Sequence, residues 1–130
     1  MAVGASRWKR SGATSKLRRR AAASADARHA APVFAALGDE TRLYLVASLS
    51  ASGPMSIVAL TTGSGVTRQA VTKHLQVLLN AGLVRLRRAG RETRWELDRQ
   101  PLDAARESLE QIASQWDEAL GRLKAFVESG

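Results

Sequence analysis

The side chains best suited to chemistry in this chain are polar and cationic, and they recur first at helical and then at strand spacing. Between Thr67 and Asn80 the apolar residues Val71, Leu75 and Leu78 fall on one side of a helix. With about 100° per residue and Val71 as the origin, Leu75 lies near about 40° and Leu78 near about −20°. Gln69, Gln76, Lys73 and Thr72 then fall at about 160°, 140°, 200° and 100°, on the opposite side. Arg68 sits in the first turn at about 60°, and His74 lies at about −60°, beside the buried face. Glutamine pairs bidentately with an adenine edge, and lysine donates to guanine or phosphate. Thr67 as the helix cap, with Arg68, Gln69, Thr72, Lys73 and Gln76, is therefore a candidate DNA-contacting set. A polar helix face alone is weak evidence, because most surface helices carry one.

A second group strengthens the case. Val84 and Leu86 alternate with Arg85 and Arg87, and Thr93, Trp95 and Leu97 alternate with Arg94 and Glu96. Period-two alternation on both sides of Arg88-Ala89-Gly90-Arg91 predicts a β-hairpin. Arg87, Arg88, Arg91 and Arg94 would cluster at its tip, where phosphates or a narrow minor groove would compensate mutual repulsion. Trp95 falls on the Thr93–Leu97 face, which favours core over stacking on a base.

Other chemistries find no support. The chain has no cysteine and two histidines, His29 and His74. It lacks a phosphate-binding glycine loop, and Asp117-Glu118 reads as a solvated face. No catalytic constellation, cofactor or metal site is expected. No apolar run approaches a membrane span, and no apolar stretch near Met1 suggests a secretory signal. A cytoplasmic, nucleoid-associated protein is the expectation.

The elements that must position these residues follow from punctuation. The first thirty residues hold eight Lys/Arg (Arg7, Lys9, Arg10, Lys16, Arg18, Arg19, Arg20 and Arg28) against Asp26 and lack an apolar period. They read as a disordered basic tail. Order is expected from Pro32, with Val33, Phe34 and Leu37 as a short stripe ending at Gly38. Asp39 suits an N-cap for a helix burying Leu43, Val46, Ala47 and Leu49. Ser56 caps a short helix, Gly63-Ser64-Gly65 makes a turn, and Thr67 caps the helix that Gly82 stops. A short helix, a glycine turn and a longer helix make a helix-turn-helix candidate.

From about residue 101 to 127, Leu102, Ala105, Leu109, Ile112, Trp116, Leu120, Leu123 and Val127 recur every three or four residues. Such a helix is about 40 Å long. A domain of this size covers only part of the stripe, so a second copy is the simplest cover; packing wholly on its own core is the alternative. The chain carries a net charge of +8. Residues 67–99 hold eight basic side chains against three acidic ones, whereas residues 102–130 hold three against six. One surface should attract a polyanion and another repel it.

Four blocks in fixed order resemble the ArsR/SmtB family of bacterial winged-helix repressors. They are Phe34-Ala35-Ala36-Leu37-Gly38-Asp39-Glu40-Thr41-Arg42-Leu43, the run from Thr67 to Leu78, Ala81-Gly82-Leu83-Val84, and Ala89-Gly90-Arg91-Glu92. The resemblance implies a mainly α (α+β) fold. This is a winged helix-turn-helix with a two-stranded β-hairpin wing and a long C-terminal dimerisation helix. It places the recognition helix on the second block and the wing on the last, and it makes the first and last helices the dimer interface. Phe34, Leu109, Ile112, Trp116, Leu120 and Leu123 are the candidates there. Metal-sensing members carry a cysteine motif near the third helix, where this chain has Met55 to Thr62 without a ligand type. Others use Asp and His pairs on the last helix, which here has no His. The resemblance thus points to the branch without a metal site; what releases it from DNA is left open, an unknown small-molecule effector being one candidate partner. The expected function is a homodimeric, sequence-specific repressor of its own or neighbouring genes, residues 31–130 forming the DNA-binding domain. The alternative is a non-specific architectural protein driven by the arginine-rich tail.

Overall fold

The protein is described by a computed structural model covering residues 12–129. Its elements are α1 (Gly12–Leu37), α2 (Glu40–Ser52), α3 (Ile57–Thr61), α4 (Arg68–Asn80), β1 (Val84–Ala89), β2 (Glu92–Leu97) and α5 (Arg99–Ser129). Contacts divide the chain into two units. One is Ala30–Arg106; the other joins the described residues up to His29 with those from Glu107 onward.

The unit Ala30–Arg106 owns the apolar core. Leu45, Leu49, Leu60, Val71, Leu75, Leu78 and Leu83 are almost completely buried there, beside Ala30, Val33, Ala36, Val46, Val84 and Ala105. Each fully buried leucine removes enough apolar surface from water to contribute about 1.5–3 kcal/mol. Phe34, Leu37, Met55, Trp95, Leu97 and Leu102 pack half-buried around them. Trp95 is thus part of the core margin, as its face of the hairpin requires.

The caps anticipated from residue type are formed. Asp39 accepts from the Arg42 amide, Ser56 from the Ala59 amide and Thr67 from the Ala70 amide. After α4, the Gly82 amide donates to the Leu79 carbonyl and the Leu83 amide to the Leu78 carbonyl, with Gly82 at φ 78°. This left-handed C-terminal closure needs a residue without a Cβ penalty.

The buried face of α2 differs from expectation. Leu45, Val46 and Leu49 are buried, whereas Leu43 and Ala47 are exposed. Leu43 and Ala47 each lie two positions from Leu45, about 160° around the helix. A centre on the Leu45–Leu49 pair therefore turns both outward.

The start of α1 also differs. Order was expected from Pro32, yet the helix runs from Gly12 and holds Pro32 in its interior. Alanine is the strongest helix former, so an alanine-rich stretch needs no apolar stripe to adopt the helix. Lys16, Leu17, Arg18, Arg19 and Arg20 are exposed, leaving no burial periodicity to detect. The remainder of the expected tail, residues 1–11, lies outside the described residues.

Beyond Glu107, the other unit carries the second half of α5. Leu109, Ile112, Trp116, Leu120 and Leu123 are between 47% and 65% exposed in the single chain. The stripe is present as spaced and is exposed among the described residues.

Candidate nucleic-acid interface

The short helix α3 and the longer α4 are joined by a turn that glycine and serine shape. Gly63 and Gly65 hold φ 85° and 77°. A Cβ on Gly63 would also meet the Tyr44 hydroxyl at 3.0 Å. The Ser64 hydroxyl donates to the Thr61 carbonyl at 2.7 Å, and its oxygen accepts from the Val66 amide at 3.3 Å. The turn delivers the chain to Thr67, whose hydroxyl oxygen accepts from the Ala70 amide at 3.2 Å and starts α4. Val71, Leu75 and Leu78 then lock the helix rotation by complete burial. Arg68, Gln69, Thr72, Lys73 and Gln76 are consequently exposed.

Hydrogen bonding sorts these side chains. The Thr72 hydroxyl donates to the Arg68 carbonyl at 2.9 Å, which leaves its methyl group and oxygen lone pairs to face a ligand. Gln76 donates to the Asn80 side-chain oxygen at 3.1 Å. Among the described residues, Arg68, Gln69 and Lys73 have no side-chain hydrogen bond or ion pair. Their donors and acceptors are open for base edges or phosphates.

The hairpin pairs Leu86 with Trp95, Arg87 with Arg94 and Ala89 with Glu92 in an antiparallel register. Its loop is Gly90-Arg91, with Gly90 at φ 64° and Arg91 not at positive φ. Glycine in the first loop position is what a two-residue type II′ turn demands. The four arginines anticipated at the tip behave in two ways. Arg87 lies 3.7 Å from Glu96 and Arg94 lies 3.3 Å from Glu92. Arg88 and Arg91 have no ion pair among the described residues. Exposed ion pairs are worth about 1 kcal/mol or less, so Arg87 and Arg94 remain available to a stronger anion.

Two features of this surface were not anticipated. Met55, immediately before the α3 cap, exchanges two backbone hydrogen bonds with Trp95, at 2.8 and 3.0 Å. This single-residue bridge ties the hairpin to the start of α3, so wing and helix-turn-helix are registered through backbone. One paired residue carries no alternation, and no sequence pattern announces it.

The other feature is a polar cluster behind α4. Arg42 donates through Nε to the Ala36 carbonyl at 2.5 Å and through Nη2 to the Ala35 carbonyl at 3.5 Å. Its Nη1 lies 3.3 Å from His74 Nδ1, which also lies 3.7 Å from an Asp39 carboxylate oxygen. The backbone hydrogen bond from Arg42 holds the Asp39 carboxyl below its usual range, with the charge of Arg42, and that of His74 when its ring is protonated, adding to this. Asp39 and Arg42 were legible as a helix start, and His74 as a flank residue, but their convergence needs tertiary structure.

Comparisons with known proteins agree with this geometry. The helix-turn-helix domain family matches residues 37–87. The HTH-type transcriptional regulator Rv2034 of Mycobacterium tuberculosis is 37% identical over 94 residues, covering 72% of this chain and 84% of its own. An ArsR-like transcriptional regulator from Rhodococcus sp. RHA1 superposes with a TM-score of 0.67 at 37% identity, over 76% of this chain and 92% of that one. The homodimeric winged helix-turn-helix DNA-binding domain of Mb0332 from Mycobacterium bovis superposes with a TM-score of 0.53 at 29% identity, over 71% and 83%. A helix-turn-helix with a capped, outward-facing α4, a backbone-registered arginine hairpin and relatives of this kind place the protein among regulators rather than enzymes. The chain belongs to the ArsR family of winged helix-turn-helix transcriptional regulators.

Proposed function

We propose that this regulator works as a homodimeric repressor, with two copies of α4 reading successive major grooves of a two-fold operator near its own or a neighbouring gene. The observation that carries the reading is a set of exposed donors on α4 and on the hairpin that have no partner among the described residues. Among the described residues, Arg68, Gln69 and Lys73 on α4 and Arg88 and Arg91 on the hairpin have no ion-pair or side-chain hydrogen-bond partner. Thr67, Thr72 and Gln76 flank the base-reading residues, and Arg87 and Arg94 add phosphate contacts. Base contacts supply discrimination, while hairpin contacts raise affinity for every sequence.

A second copy is supported by the open stripe of Leu109, Ile112, Trp116, Leu120 and Leu123 on α5. The Mycobacterium bovis relative is itself homodimeric. Phe34 is half-buried against its own core and contributes only its remaining face. An unknown small-molecule effector is one candidate for release from DNA. The site of action is the cytoplasm, on the nucleoid.

Selecting bound duplexes from a random-sequence pool, followed by footprinting, tests this. The expected footprint has dyad symmetry, with half-sites about one helical turn, roughly 34 Å, apart. The exposed Lys16, Arg18, Arg19 and Arg20 of α1 favour the other reading, a non-specific architectural protein. Equal affinity for selected and random duplexes, with a steep salt slope, would establish that alternative.

A further inference from the structure

The cluster behind α4 does more than cap a helix. Arg42 belongs to α2 and is anchored to the end of α1 through the carbonyls of Ala35 and Ala36. Its remaining nitrogen meets His74, a residue of α4. Guanidinium nitrogens only donate, so Nδ1 must accept, and the imidazole is then neutral with its proton on Nε2. A proton on Nδ1 removes that acceptor and sets two cations against each other. The same imidazolium has a carboxylate nearby, Asp39 Oδ2 at 3.7 Å. Protonation therefore exchanges partners, Arg42 for Asp39. Among the described residues, the charged groups against the ring are Arg42 of α2 and Asp39 of the link before it. Lys73, its neighbour on α4, lies on the exposed side. The ring is partly exposed, with 24% of the side chain accessible, so protons reach it.

We propose that His74 is a positioning residue: by accepting a hydrogen bond from Arg42 it tethers α4 to α2 and the end of α1, refining the seat that Val71, Leu75 and Leu78 give the helix for base reading, and protonating it weakens discrimination between sequences. His74 touches no base. It acts through Gln69 and Lys73, which share its helix and move with it. Histidine as a residue type is the side chain whose unperturbed charge change falls between about pH 5 and 8, which sets the range the test spans. Asp39 remains ionised through that window, because its carboxyl titrates below the usual aspartate range. The inference rests on the proposal that α4 reads bases.

The test uses the full chain with a duplex recovered from a random-sequence pool and a scrambled duplex of the same length. The readout is the ratio of the two affinities, which cancels the general gain in phosphate binding on acidification. From about pH 7.5 to about pH 5.5 the wild-type ratio should fall about three- to tenfold, the worth of one hydrogen bond. His74→Asn places an amide oxygen near the Nδ1 position and does not titrate; its ratio should stay high and flat. His74→Phe should give a low ratio at both pH values, with thermal melts confirming that each variant is folded. Arg42→Gln, which removes the cation, should also abolish the pH dependence and serves if a His74 variant does not fold. A flat wild-type ratio, or an undiminished fall in His74→Asn, overturns the inference. Lys73→Ala at about pH 7.5 separates the layers. If it leaves the ratio unchanged, the reading of α4 fails; if it collapses the ratio while pH has no effect, only the role of His74 fails.

Discussion

Helix α4 and the second half of α5 are built on the same apolar rhythm and meet opposite fates. In α4, Val71, Leu75 and Leu78 are wholly buried within the unit Ala30–Arg106. In α5, Leu109, Ile112, Trp116, Leu120 and Leu123 stay about half exposed. Spacing sets which side of a helix is apolar, but not whether the chain itself supplies a cover. The difference separates two tasks. A helix whose apolar side is spent on its own core offers its polar side to a ligand. On the proposed reading, the helix whose apolar side remains open uses that side to meet a second copy of the chain.

Substitutions can break or sharpen this contrast, and the largest effect belongs to the buried rhythm. Leu75→Ala should destabilise the fold by about 2–5 kcal/mol in denaturant titration, since the side chain is enclosed on all sides. A negligible loss would mean that α4 is not locked by its core. Trp116→Ala on the open rhythm should leave the monomer fold intact. It should weaken self-association by about 2 kcal/mol, read by sedimentation across a concentration series. If melting falls as far as for Leu75→Ala and self-association is unchanged, the stripe serves the chain's own fold and the contrast disappears.

On the polar side of α4, Gln69→Ala and Lys73→Ala should each remove about 1–3 kcal/mol of discrimination between the selected duplex and its single-base variants. Affinity for random DNA should change less. At the hairpin the pattern should invert. Arg88→Ala and Arg91→Ala should weaken all duplexes alike and reduce the slope of log affinity against log salt by about one each. Arg94→Ala should do less, because Glu92 already neutralises part of its charge.

The smallest effect concerns acid. A carboxyl whose folded-state pKa is depressed adds stability above its unfolded value and loses it as pH falls through the folded one. Asp39 should therefore contribute to melting temperature at neutral pH and progressively less below the usual aspartate range. Asp39→Ala should flatten that acid limb in melts across the range. An unchanged limb would remove Asp39 from the account of how α4 is seated.

Most of the geometry of the candidate interface was legible because it depends on local signals. Thr67 caps, Gly82 stops, and Val71, Leu75 and Leu78 define a face, all within one stretch of chain. The hairpin likewise follows from alternation around Gly90. Legibility failed where a local signal was missing or had two solutions. Leu43 was assigned inward because it is apolar, yet a face centred on Leu45 and Leu49 points it to solvent. The start of α1 was placed late because an exposed, alanine-rich helix has no periodicity to betray it.

From the amino-acid order alone follow the helix-turn-helix, the arginine hairpin, the polar side of α4 and the apolar stripe of α5. Each is set by neighbours three or four residues apart on a helix, or two apart on a strand, so short-range sterics and burial suffice. Tertiary structure decided the rest: the Met55–Trp95 bridge that registers the hairpin, and the meeting of Asp39 and Arg42 with His74. Those contacts join residues far apart in the chain. Their geometry exists only once the buried leucines have fixed how α2, α4 and the hairpin lie against one another, and no local spacing encodes it.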